Sequence, residues 1–78
     1  MEKIEILNDV IQKVNGVVLN ESIFNDNLDL IRDLGFDSIK FVMLLINLEE
    51  MFNISIDDDD LDLEKLSNYM NLKKIIGA

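Results

Sequence analysis

The chain has 78 residues, sixteen acidic and seven basic, for a formal net charge of -9, and a length close to the minimum for one hydrophobic core makes it a single domain over residues 1–78. It contains neither cysteine nor histidine, which excludes a disulfide framework, a thiolate metal site and the usual general base, so a self-sufficient enzyme with its own catalytic residues is not expected. The acidic surface repels nucleic acid and anionic membranes and favours basic protein surfaces.

Met1-Glu2-Lys3-Ile4-Glu5 is a mixed-charge start with no targeting pattern. The longest apolar run, Phe41 to Ile46, is too short to cross a bilayer. A free-standing, cytoplasmic monomer is expected. In chain order, Ile4, Leu7, Val10, Ile11 and Val14 recur at three- and four-residue steps and predict a first amphipathic helix, with Gly16 as its C-cap. Val17 to Asp37 is irregular and rich in Asn and Asp. It reads as a long loop lying on the core through Val18, Ile23, Phe24, Leu28, Leu30, Ile31 and Leu34. A second helix is expected over Ser38–Phe52. The acidic turn Asp57–Asp60 leads to a short third helix over Leu61–Glu64. A last helix starts near Asn68, with Leu72, Ile75 and Ile76 inward and Lys73 and Lys74 near its C-terminal dipole. With no proline, no strand-like alternation and no internal repeat, the fold class is all-α: a small four-helix bundle of three main helices and one short one.

The second helix carries two apolar faces. At ~100° per residue one face collects Phe41, Leu44, Leu45, Leu48, Met51 and Phe52, and faces the core. The other collects Ile39, Val42, Met43 and Ile46, with Glu50 one turn further on. Left uncovered, it is a protein contact surface or the cover for a bound group; alternatively, the Val17–Asp37 loop folds over it. This helix begins directly after Asp33-Leu34-Gly35-Phe36-Asp37-Ser38-Ile39. That placement puts the Ser38 hydroxyl at a helix start, where unpaired backbone N–H groups and the macrodipole welcome an anion. Gly35 permits a tight turn just before it, and Asp37 or Ser38 serves as the N-cap. Asp57–Asp60 with Asp62 and Glu64 lacks the glycine and the ligand spacing of a calcium loop. It is expected to be a solvated, helix-capping turn, with no metal site.

The string Asp33-Leu34-Gly35-Phe36-Asp37-Ser38-Ile39, followed by an apolar helix ending Leu48-Glu49-Glu50-Met51-Phe52-Asn53-Ile54-Ser55-Ile56, closely resembles the acyl carrier protein family and the related peptidyl carrier domains, from about Leu28 to Ile76. The resemblance implies an acyl-carrier-type bundle whose Ser38 carries 4'-phosphopantetheine, with Asp37 and Gly35 shaping the attachment site. It also accounts for a connection of about twenty residues, otherwise unusual in so small a domain. The implied partners are a phosphopantetheinyl transferase, an acyl- or aminoacyl-loading enzyme, and downstream synthases or transferases with basic surfaces. Ile39, Val42, Met43 and Ile46 would touch these partners or shelter the arm. Asp33, Glu49 and Glu50 would steer them electrostatically.

Fatty-acid carriers typically place acidic residues where this chain has Lys40 and Met43. That departure points towards a specialised pathway such as polyketide, nonribosomal peptide or modified-lipid assembly. Phe36-Asp37 departs from the Gly-His or Gly-Asp of peptidyl carriers, and the cargo stays open between acyl and aminoacyl. The competing readings are an acidic helical adaptor in which Ser38 is only a cap, and a small divalent-ion buffer.

Overall fold

Five α-helices and one 3-10 turn follow one another along residues 2–56 and 62–78, the residues described by the computed structural model. They are α1 (Lys3–Asn15), the 3-10 turn Glu21–Ile23, α2 (Leu30–Leu34), α3 (Ser38–Phe52), α4 (Leu63–Leu66) and α5 (Tyr69–Ile75). No strand occurs among these residues, and the only pairing of extended backbone in them is an isolated antiparallel bridge between Asp29 and Asn68. No helix of the described residues is long and apolar enough to cross a membrane.

In α1 the three- and four-residue steps bury Leu7, Val10, Ile11 and Val14, while Ile4 is half-buried. Gly16 ends the helix at φ 87°, and its N–H donates to the Gln12 carbonyl at 2.9 Å. This is the left-handed cap expected of glycine. α3 buries Phe41, Leu44, Leu45 and Leu48 against α1. Tyr69 and Leu72 of α5, Leu66 of α4 and Leu30 of α2 complete the core, all of them 1% exposed or less. Each such side chain contributes about 1.5–3 kcal/mol by leaving water. Asn68 caps α5 by accepting from the N–H groups of Met70 and Asn71. Of the residues expected inward on this helix, Leu72 and Ile76 are buried and Ile75 is half-buried.

Four expectations change. The Val17–Asp37 segment is not a plain loop, because Asn20 caps the 3-10 turn and Asp29 caps α2. Asp29 Oδ1 accepts from Ile31 and Arg32 at 2.9 and 3.0 Å, while Asp33 Oδ2 accepts from the Asp29 N–H at 3.0 Å, a reciprocal arrangement that closes a five-residue helix. Two residues expected as anchors face water. Val18 is 93% exposed because the Gln12 side chain ties the neighbouring Leu19 N–H at 2.8 Å, turning Val17 and Val18 outward, and Ile31 lies on the outer side of α2. Met51, expected on the core face, is exposed, since it lies at the edge of that face along the outer flank of α1. Finally, the short helix is Leu63–Leu66 instead of Leu61–Glu64, because Asp62 is its cap, accepting from the Glu64 N–H at 2.9 Å. The Asp57–Asp60 turn and Leu61 lie outside the described residues.

The segment between α1 and α3 is docked onto the C-terminal helices. Leu30 donates to the Ser67 carbonyl at 2.8 Å, and Tyr69 to the Leu28 carbonyl at 3.1 Å. The Tyr69 hydroxyl donates to the Asn8 side-chain oxygen, its ring meets Phe24 at 5.8 Å, and Lys73 pairs with Asp26 at 2.6 Å.

Candidate functional site

The approach to α3 is fixed residue by residue. Gly35 sits at φ 71° and ends α2, its N–H donating to the Ile31 and Leu30 carbonyls. Phe36 then turns inward, 3% exposed, and packs on Phe41 with ring centroids 5.3 Å apart and planes at 60°. Asp37 follows in an extended conformation. Its Oδ1 accepts the Lys40 N–H at 2.9 Å, and its carbonyl accepts the first helical bond, from Phe41, at 3.0 Å. Of the two candidate caps, Asp37 is therefore the N-cap, and Ser38 is the first residue inside the helix.

This frees the serine for other work. Ser38 is exposed, and among the described residues neither its hydroxyl nor the N–H groups of Ser38 and Ile39 find a protein partner. Two unpaired donors at the start of a fifteen-residue helix make a favourable field for an anion on that hydroxyl. The Asp33 carboxyl is held below its ordinary range, chiefly by the Asp29 N–H and then by the Arg32 guanidinium 3.4 Å away. It stays charged beside the approach to the site.

The second face of α3 is open. Ile39 is 70%, Val42 55%, Met43 47% and Ile46 53% exposed, so the segment between α1 and α3 does not fold over them. Glu50 is exposed and Glu49 half-buried at the far end of the same helix. Lys40 folds back so that its ammonium lies 5.8 Å from the Phe36 centroid. Two positions after Ser38, it faces away from the hydroxyl.

Ser38 also opens onto a groove of about 430 Å³ between α3 and α4. Val42, Leu45 and Ile46 form one wall, Leu63 and Leu66 the other, with Ile56 contributing and Glu49 the one charged residue among the described residues of the lining. Two parts of this arrangement are absent from the sequence-based reading. Phe36 was seen as motif and not as anchor, although it is the only aromatic residue between Phe24 and Phe41. The α4 wall was missed too, although Leu63 and Leu66 stand at helical spacing. Among the described residues no group of three or more carboxylates is arranged to hold a metal ion.

Comparison with known proteins agrees with this geometry. The family model described as "Phosphopantetheine attachment site" matches residues 5–74. The chain is 35% identical over 72 residues to an acyl carrier protein of Phytoplasma mali, covering 86% of this chain and 80% of that protein. It is 34% identical over 73 residues to an acyl carrier protein of Thermotoga maritima, covering 87% and 88%. A third, from Desulforapulum autotrophicum, is 41% identical over 51 residues, covering 65% of this chain and 64% of the relative, just under two thirds of its length. The chain belongs to the phosphopantetheine-attachment family of acyl carrier proteins, carriers without catalysis of their own that hold 4'-phosphopantetheine covalently.

Proposed function

We propose that Ser38 is the residue to which 4'-phosphopantetheine is attached, and that the protein carries thioester-linked acyl or aminoacyl intermediates between enzymes of a specialised biosynthetic pathway. The observation that carries this is the exposed, unpartnered Ser38 hydroxyl at the N-terminus of α3 and at the mouth of an apolar groove. The residues fit the group: the unpaired N–H groups of Ser38 and Ile39 would hold the phosphodiester, and the apolar walls of the groove suit the arm or its cargo. When bound, the group supplies a thiol that forms thioesters.

The remaining residues prepare and present that site. Asp37 satisfies the Lys40 N–H, and Gly35 with Phe36 aims the turn, so the hydroxyl stays outward for a phosphopantetheinyl transferase. In the attachment step the Ser38 oxygen bonds to phosphorus and loses its proton as the nucleotide part of coenzyme A departs. Ile39, Val42, Met43 and Ile46 are the docking face for the loading enzyme and for downstream synthases or transferases, with Asp33, Glu49 and Glu50 steering their basic surfaces. Lys40 and Met43, where acidic residues are typical of fatty-acid carriers, leave the first half of α3 less acidic and more apolar, which supports polyketide, nonribosomal peptide or modified-lipid assembly over routine fatty-acid synthesis.

The test is incubation with a broad-specificity phosphopantetheinyl transferase and coenzyme A. Intact-mass analysis should show one phosphopantetheine on the wild type and none on Ser38→Ala. An adduct that persists in Ser38→Ala moves the site elsewhere, and no adduct on either leaves an acidic docking module.

A further inference from the structure

A strip along the outer side of α1 differs in character from the rest of this acidic molecule. Two shallow hollows meet on it at Lys13. One, of about 140 Å³, lies between α1 and α3 and is lined by Ile6, Asp9, Val10, Lys13, Asn47 and Met51. The other, of about 300 Å³, lies at the end of α1 beside Gly16, Val17 and Val18. Met51, Val17 and Val18 are 56%, 58% and 93% exposed, so the strip shows large apolar side chains to water. Asp9 and Lys13 are the only charged residues among the described residues of the two linings, one of each sign, and neither forms an ion pair with another described residue. On a chain of net charge -9 this is a neutral, apolar surface, the kind whose burial against another surface is favourable.

The order of the charges says what fits it. Asp9 and Lys13 are four residues apart, about 6 Å along the axis at ~1.5 Å per residue. When α1 of a second copy lies antiparallel across a two-fold axis midway between them, Asp9 of each copy faces Lys13 of the other, and the contact is self-complementary. The same axis sets the half-buried Ile6 of each copy beside the Gly16-Val17 end of the other, so apolar contacts flank the two ion pairs. A basic partner, of the sort the acidic surface elsewhere attracts, gains little here, because a cation that meets Asp9 also stands beside Lys13.

We propose that this strip is a homodimer contact, in which two copies of the chain pair α1 to α1 with Asp9 and Lys13 exchanged across a two-fold axis. This departs from the monomer expected from the sequence. One helix length of contact is at the small end of specific interfaces, below ~1,200 Å². The dimer is therefore weak and reversible, and repulsion between the two acidic chains opposes it until salt screens them. Counting ~100° per residue, Asn47 and Met51 stand on the flank of α3 away from Val42, Glu49 and the groove. The pair thus leaves both copies of Ser38 open and, given attachment there, holds two carried groups on one particle.

The test is sedimentation velocity on the unmodified chain over a concentration series, which keeps the result independent of attachment at Ser38. The wild type should show a reversible monomer–dimer equilibrium that tightens as salt is raised. Asp9→Lys and Lys13→Asp change exposed positions, so circular dichroism should stay as in the wild type. Each should weaken dimerisation by about tenfold or more, because each sets like charges opposite one another at both ends of the axis. The variant carrying both changes should restore the dimer, as should an equimolar mixture of the two single variants. General repulsion predicts another pattern: Asp9→Lys makes the chain less negative and Lys13→Asp more negative, which shifts dimerisation in opposite directions. That pattern would overturn the proposal, as would a double variant that fails to restore the dimer. So would a wild type that stays monomeric at every concentration and salt, or a dimer kept in both single variants and lost in Val42→Asp, which places the contact on the α3 face.

Discussion

At Gly35 the backbone sits at φ 71°, and a Cβ built there meets nothing within 4 Å. Steric crowding by neighbours is therefore absent, and the whole penalty of a side chain is conformational. Gly35→Ala should lose about 1 kcal/mol in urea unfolding, and Gly35→Asn less, because Asn tolerates the left-handed region. Asp33 adds a pH signature. Its carboxyl is held below the ordinary range by the Asp29 N–H and then Arg32. The stabilisation is thus complete above the pKa of the unfolded chain and is lost as pH falls through the lower folded value. Asp33→Asn should flatten the loss of thermal stability on acidification; an unchanged acid limb would show that the group contributes nothing there.

At the scale of elements, α3 joins the core and an exposed apolar face, and the two are separable by substitution. Phe36→Ala, which empties the space against Phe41 just before α3, should cost about 3–5 kcal/mol. That is a large part of the roughly 4–12 kcal/mol typical of a chain this size. Phe36→Leu keeps most of the packing and should lose far less in the same denaturation experiment. Val42→Asp and Met43→Glu change exposed positions, so circular dichroism should stay as in the wild type while the rate of loading by the cognate enzyme falls several-fold. Unchanged loading with unchanged dichroism would remove the docking role from this face.

The two ends of α3 were legible in advance because Asp37, Ser38 and the apolar run to Phe52 are local signals. So were the Gly16 cap and the Asn68 start of α5. α2 was not, since five residues are too few to show a period and part of its support is the distant Ser67 carbonyl. Met51 departs from expectation because a wheel gives direction around a helix but not which neighbour ends short of it, and Ile31 because an anchor of an irregular loop becomes, once α2 forms, a residue on that helix's outer side.

For the whole molecule, the decisive property is that one small core leaves Ser38 exposed at the start of its longest helix. The radius of gyration is 11.3 Å, and the segment between α1 and α3 is held on α5 by the Phe24–Tyr69 and Asp26–Lys73 contacts, not draped over the α3 face. The Ser38 environment was legible from sequence because a polar turn before an apolar helix is read locally. The groove was not, because its second wall comes from Leu63 and Leu66, brought to α3 only by tertiary packing.

The central claim, that Ser38 is the attachment point, is tested most directly by fragment-ion mapping of the protein after treatment with transferase and coenzyme A. The modification should fall on the single serine of the Phe36-Asp37-Ser38-Ile39 stretch. Its appearance on Ser22, Ser55 or Ser67 instead, with Ser38 unmodified, would contradict the account.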